Sequence, residues 1–122
     1  MIVGTPESVE GSLGHDSHGG HGQYFVRTLF DAVPGSSFKY VRDLILYPGS
    51  SVGVHPHVGD DEIYFVISGR GVMTVDDEEQ VVGPGSAVLT MSGSTHGLRN
   101  TGDDDLRIFV ACAKSDGQVP EA

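Results

Sequence analysis

Turns, more than any other feature, limit what this chain can become. Short apolar runs recur between breaks built from Gly, Pro, Ser and Asp: Val33-Pro34-Gly35-Ser36, Pro48-Gly49-Ser50, Ser68-Gly69-Arg70-Gly71, Gly83-Pro84-Gly85 and Asn100 to Asp105. No apolar stripe of helical period lasts more than a turn or two, whereas β-prone runs bounded by turn residues read as strands. Strands are expected at Tyr24 to Phe30, Phe38 to Tyr47, the segment holding His55 and His57, Ile63 to Ile67, Val72 to Val75, Gln80 to Val82, Ala87 to Thr90 and Leu106 to Ala113. Ser68-Gly69-Arg70-Gly71 reads as a hairpin, and Asp76 to Glu79 as an exposed acidic turn. In Phe38 to Tyr47 one face carries Phe38, Tyr40, Arg42, Leu44 and Leu46, and the other Val41, Ile45 and Tyr47. Apolar residues on both faces suit a sheet that packs inward and meets another sheet or subunit outward. Many short strands at nearly even spacing imply an all-β sandwich or small barrel.

The remaining sequence-wide features narrow the class. At 122 residues the chain suits one domain with its own core. Residues 1–22 read as an N-terminal arm, either mobile or lying over the barrel; residues 23–114 form the barrel, and 115–122 a polar tail. A net charge of −10 argues against nucleic acid and anionic membranes as partners, since phosphate binding needs Lys and Arg. Cys112 is the one cysteine, which excludes an internal disulfide and fits a reducing compartment. No apolar run reaches the roughly 20 residues of a membrane helix, and the N-terminus lacks the basic start and apolar stretch of a signal peptide. The expected location is the cytoplasm.

The chemistry concentrates between Gly49 and Asn100. His55 and His57 stand two apart in an extended segment, so their side chains leave one face. Glu62 opens the next run after a polar turn; if the chain doubles back there, its carboxylate arrives opposite the two imidazoles. His96, in a second Gly-rich turn from Met91 to Gly97, offers a fourth donor. Imidazole suits Fe, Mn, Ni, Cu and Zn, and a carboxylate shifts preference toward harder ions. A structural zinc site would more often be closed and rich in thiolate. An open one implies Lewis-acid, water-activating or oxygen chemistry. Ligating histidines must be neutral, so affinity should fall as pH drops through the imidazole range.

These residues also carry a family resemblance. Gly49, His55, His57, Glu62 and Gly69 fill G-x5-H-x-H-x4-E-x6-G, which resembles the first cupin motif. Gly85, Gly93, His96 and Asn100 match the second, G-x5-P-x-G-x2-H-x3-N, with Met91 where proline is usual. The resemblance implies a double-stranded β-helix, or jelly-roll barrel, commonly a homodimer. It also implies one divalent transition metal held by His55, His57, Glu62 and His96, with Mn(II) or Fe(II) favoured over Ni, Cu or Zn.

If Glu62 points inward, Tyr64 and Val66 share its face and are candidate pocket walls. The Tyr64 hydroxyl could orient substrate or pass a proton, or simply bond to backbone. Arg42 is a carboxylate clamp if its face lines the barrel, and ordinary surface charge if it meets solvent; the second is favoured. Met91, Ile108, Val110 and Cys112 are expected to pack. The His15, His18, His21 series suggests incidental metal affinity in a disordered segment rather than a helix, because glycine flanks it. The expected function is an oxidoreductase of dioxygenase or oxidative-decarboxylase type acting on a small carbonyl or enolic compound. Its rivals are a redox-neutral isomerase, cyclase or lyase, and a small-molecule binding module without turnover.

Overall fold

The computed structural model describes residues 1–115, so all of the expected tail but Ser115 lies outside the described residues. Ten strands follow one another: β1 Ser12–His15, β2 Gln23–Asp31, β3 Phe38–Leu46, β4 Ser51–Pro56, β5 Asp60–Ser68, β6 Gly71–Val75, β7 Glu78–Val82, β8 Ala87–Thr90, β9 Thr95–Asn100 and β10 Leu106–Lys114. Among the described residues a single 3-10 turn, Ser17–Gly19, lies between β1 and β2. Every pairing is antiparallel. One sheet runs β1-β2-β3-β10-β5-β8 and the other β4-β9-β6-β7. Two facing antiparallel sheets with these crossovers make the expected jelly roll.

Period-two burial explains why the sheets face each other. On β5 the even positions Asp60, Glu62, Tyr64 and Val66 are buried while Ile63, Phe65 and Ile67 are exposed. On β10, Leu106, Ile108, Val110 and Cys112 turn inward. These inward residues meet Val52, Met73, Val82 and Leu98 from the second sheet. Removing that apolar surface from water stabilises the sandwich by about 25 cal/mol per Å². Ile108 and Val110 thus pack as expected, and Cys112 is fully buried.

Four local expectations change. Ser68-Gly69-Arg70-Gly71 is a corner rather than a hairpin, because β5 and β6 belong to different sheets. A Cβ on Gly69, whose φ is +89°, would stand 2.4 Å from the Asp105 carbonyl oxygen, so the crossing tolerates no side chain. The acidic turn shrinks to Asp76-Asp77: Asp76 adopts φ 52°, which closes a two-residue hairpin, and Glu78 already pairs with Val75. Glu78 and Glu79 then lie on β7, an edge strand that charged residues suit. Met91 does not pack; it is 49% exposed at the start of its turn. Lastly, the arm is not a disordered segment, for Ser12 to His15 pairs with Val26 to Gln23 and extends the six-stranded sheet.

Candidate metal centre

His55, His57, Glu62 and His96 converge, with one donor atom from each all lying within 4.8 Å of one another. They arrive differently from the sequence expectation. β4 and β5 are not a hairpin: β4 pairs with β9, so His55 faces His96 directly within the four-stranded sheet, and Glu62 comes across the interior from the six-stranded one. His96 is not in a turn but on β9; the turn ends at Ser94, whose carbonyl accepts from the His57 N–H at 2.9 Å. That turn is tied down by the Asp61 carboxylate, which accepts from the Ser92 N–H (2.8 Å), and by the Ser92 hydroxyl, which accepts from the Gly59 N–H (2.9 Å).

The outer nitrogens fix what the inner ones can do. His55 Nδ1 lies 2.7 Å from the Gly53 carbonyl oxygen, and His57 Nδ1 lies 2.6 Å from Asp60 Oδ1. A carbonyl and a carboxylate only accept, so both Nδ1 atoms carry the hydrogen, and in neutral rings Nε2 is then a bare lone pair. Thr90 Oγ1, 2.7 Å from His96 Nδ1, can accept in the same way. His57 Nε2 is 2.9 Å from His96 Nε2, which is 3.2 Å from His55 Nε2; Glu62 Oε1 is 3.1 Å from both His57 Nε2 and His96 Nε2. Lone pairs and a carboxylate oxygen pressed this closely call for a cation among them. The edges also match its size. Donors about 2.1 Å from an ion lie about 3.0 Å apart when adjacent in an octahedron and about 3.4 Å apart in a tetrahedron. The donor set is compatible with a divalent metal ion.

Electrostatics favour a neutral His55 and ionised Glu62 and Asp60. Burial holds His55 below the ordinary imidazole range, which favours the neutral ring. Burial pushes Glu62 upward, but its contact with His96, the hydrogen bond from Tyr40 and the nearby imidazoles outweigh it and hold the group below the usual carboxylate range. Asp60 behaves likewise: burial raises it, while hydrogen bonds from Lys39 and His57 bring it below the usual carboxylate range. Lys39 Nζ stands 2.5 Å from Asp60 Oδ2.

Three neighbours escaped the sequence reading. The Tyr40 hydroxyl donates to Glu62 Oε2, leaving Oε1 to face the imidazoles. Asp60 orients His57, and the turn at Ser17–Gly19 brings His18 flat against His55. Period two was the available signal for the first two, since Tyr40 precedes Arg42 and Asp60 precedes Glu62 by two residues. Tyr40→Phe removes a hydroxyl donor from Glu62 without changing the ring's packing. Its affinity for Mn(II) should fall by about tenfold in chelator competition, with little change in melting temperature.

A cavity of about 570 Å³ opens over this cluster, lined by Tyr40, Arg42, Tyr64 and His18 among others. Arg42 therefore does not sit on the outer surface as favoured above; its guanidinium lies 3.7 Å from the Tyr40 ring centroid and lines the cavity. Tyr64 is buried with its ring centroid 4.8 Å from that of His96; burial, then the Glu62 charge, push its phenol well above the ordinary range. Val66 shares that strand face but sits deeper, in the apolar core, and is not among the cavity's lining residues.

Known proteins align with the same region. The cupin domain pattern matches residues 43–112. An oxalate-binding protein of Thermotoga maritima is 34% identical over 108 residues, covering 87% of this chain and 84% of its own length. The crystal structure of a predicted oxalate decarboxylase, also from Thermotoga maritima, superposes with a TM-score of 0.88 at 28% identity, over 94% of this chain and all of that one. KdgF from Halomonas sp. shares the fold at 16% identity, with a TM-score of 0.69 over 95% of this chain and 96% of that one. Sequence, strand order and neighbours agree: this chain belongs to the cupin family.

Proposed function

We propose that the protein holds one divalent metal ion, Mn(II) or Fe(II), through His55, His57, Glu62 and His96, and binds a small carboxylate of the oxalate class beside it. The observation that carries this reading is the convergence of three imidazole lone pairs and a carboxylate oxygen below a cavity that also contains a free cation. Arg107, Arg99 and Lys39 each pair with a carboxylate; Arg27, Arg42, Arg70 and Lys114 have no such pair among the described residues, and of these four Arg42 lines the cavity over the cluster. In a chain of net charge −10, an unpaired guanidinium in a cavity is suited to a carboxylate brought from outside. The names of the Thermotoga relatives point to the same ligand class.

When bound, such an ion supplies charge stabilisation and coordination positions for a carboxylate or dioxygen. The chain's own residues do the rest. Asp60 and the Gly53 carbonyl orient two imidazoles, Tyr40 steers Glu62, and Arg42 receives anionic charge. The reaction we propose is oxygen-dependent oxidative decarboxylation: the carbon–carbon bond of oxalate breaks to give two carbon dioxide molecules, and dioxygen takes the two electrons and two protons to leave as hydrogen peroxide. The second reading, binding without turnover, is favoured by the name of the oxalate-binding relative. Protein loaded with Mn(II) or Fe(II) and given oxalate should release carbon dioxide in air. Equal release without oxygen would remove the oxygen-dependent chemistry, and tight binding with no product would establish the second reading.

A partner subunit is proposed as well. On the outer face of the six-stranded sheet, Ile63, Phe65, Ile67, Leu89 and Phe109 are all exposed, and Phe65 pairs with Phe109 in register while Ile63 pairs with Leu89. A contiguous apolar patch on adjacent strands suits a second copy of the chain. Phe65→Glu should convert a dimer into a monomer by light scattering; unchanged mass would refute that interface. Among the described residues no helix is long and apolar enough to cross a membrane.

A further inference from the structure

The wall of the cavity beside His55 is made by residues that the reading above leaves without a task. His18, in the 3-10 turn Ser17–Gly19, lays its ring parallel to that of His55, with centroids 3.7 Å apart and planes 10° from parallel. The ring lines the cavity, and no described residue hydrogen-bonds to its nitrogens among the contacts above. The backbone is held there against its own preference. Asp16 and His18 both adopt left-handed angles (φ 55°, ψ 43° and φ 51°, ψ 40°), although neither is a glycine. Such conformations are costly for residues with a Cβ and persist where the surroundings enforce them.

The enforcing contacts are specific. Asp16 N–H donates to the Gly22 carbonyl (2.9 Å), and Gly22 N–H to Asp16 Oδ1 (3.1 Å). His21 N–H donates to Ser51 Oγ (3.0 Å), and Ser51 N–H to the His21 carbonyl (2.7 Å). Between these ties the turn and β4 touch backbone to backbone. A Cβ on Gly53 would stand 2.2 Å from the His18 carbonyl oxygen, and one on Gly20 would stand 2.3 Å from that of Ser51. The outcome of all these contacts is one imidazole placed over the cavity, on the side of the four-stranded sheet. Arg42 enters from the six-stranded sheet.

We infer that His18 is a specificity-determining residue, which hydrogen-bonds the second carboxylate of a small dicarboxylate whose first carboxylate lies at the four-donor cluster. The inference rests on the carboxylate-binding reading above and goes beyond it by assigning the preference for two acid groups over one. His18→Gly tests it, because glycine accepts the left-handed angles and leaves the turn unstrained. Calorimetric titration of the full chain loaded with Mn(II) would compare oxalate with acetate. The variant should lose about tenfold in affinity for oxalate, keep its affinity for acetate and retain its manganese. His18→Asn, which keeps a donor and tolerates the same backbone, should recover part of the loss. Equal losses for both acids, no loss for either, or loss of manganese would overturn the assignment. A wild-type protein that bound neither acid would instead refute the carboxylate-binding reading on which it stands.

Discussion

Replacing His57 by alanine should strip the protein of most of its metal. His57 Nε2 lies within 3.1 Å of two other donors, and its ring is only 7% exposed and fixed by Asp60. Alanine leaves a hole in the donor set that water fills without being held in place. Losing an orienting neighbour alone typically costs 10- to 100-fold in affinity, so losing a ligand should cost at least roughly 100-fold. Elemental analysis of protein purified without a histidine tag measures this directly. Thermal unfolding gives an independent reading: Mn(II) at 100 times its dissociation constant should stabilise the wild type by about 2.7 kcal/mol. The variant should show almost none of that gain. Unchanged occupancy would mean that the four donors are not the ligand set.

Asn100→Ala should be the most damaging change away from the metal. The side chain is 5% exposed and is fully engaged. Its Nδ2 donates to the carbonyls of Leu46 and Asp104, each at 2.9 Å, and its Oδ1 accepts from the Gly102 N–H at 3.0 Å. It thus joins the end of β9 to the end of β3 and shapes the turn leading into β10. Alanine removes three hydrogen bonds and strands a buried carbonyl, a loss of about 3 kcal/mol. In a domain of this size the melting temperature should fall by roughly 10 °C. Calorimetry of the metal-free protein isolates the effect from metal binding, and a fall under 2 °C would show the bonds to be dispensable.

The same asparagine shows how far the sequence could be read. Its position at the end of the second motif was visible, but its tie to the Leu46 carbonyl, 54 residues away, was not, and its bonds to Gly102 and Asp104 depend on how the turn folds. Alternation made the inward side of β5 legible, and with it Glu62 and Tyr64. It could not say that Glu62 crosses the interior to reach His55, because sheet membership depends on corners such as Gly69. A Gly-rich corner and a Gly-rich hairpin carry the same local signal. The polar character of Arg42 misled in a similar way: a guanidinium stacked on Tyr40 inside a cavity has the same sequence pattern as one in water. For His18 the obstacle was glycine itself. Flanking glycines argued against order, yet here they permit the close backbone approach that creates it.

The division of the four donors between two sheets has a consequence for assembly. With His55, His57 and His96 carried by or beside one sheet and Glu62 by the other, the full four-donor set exists only once the two sheets close on each other. A divalent ion bound there would act as a rivet through the seam, and its uptake should lag behind strand formation and coincide with final closure. Which element ends up inside would then be decided by what the surrounding solution supplies at that moment.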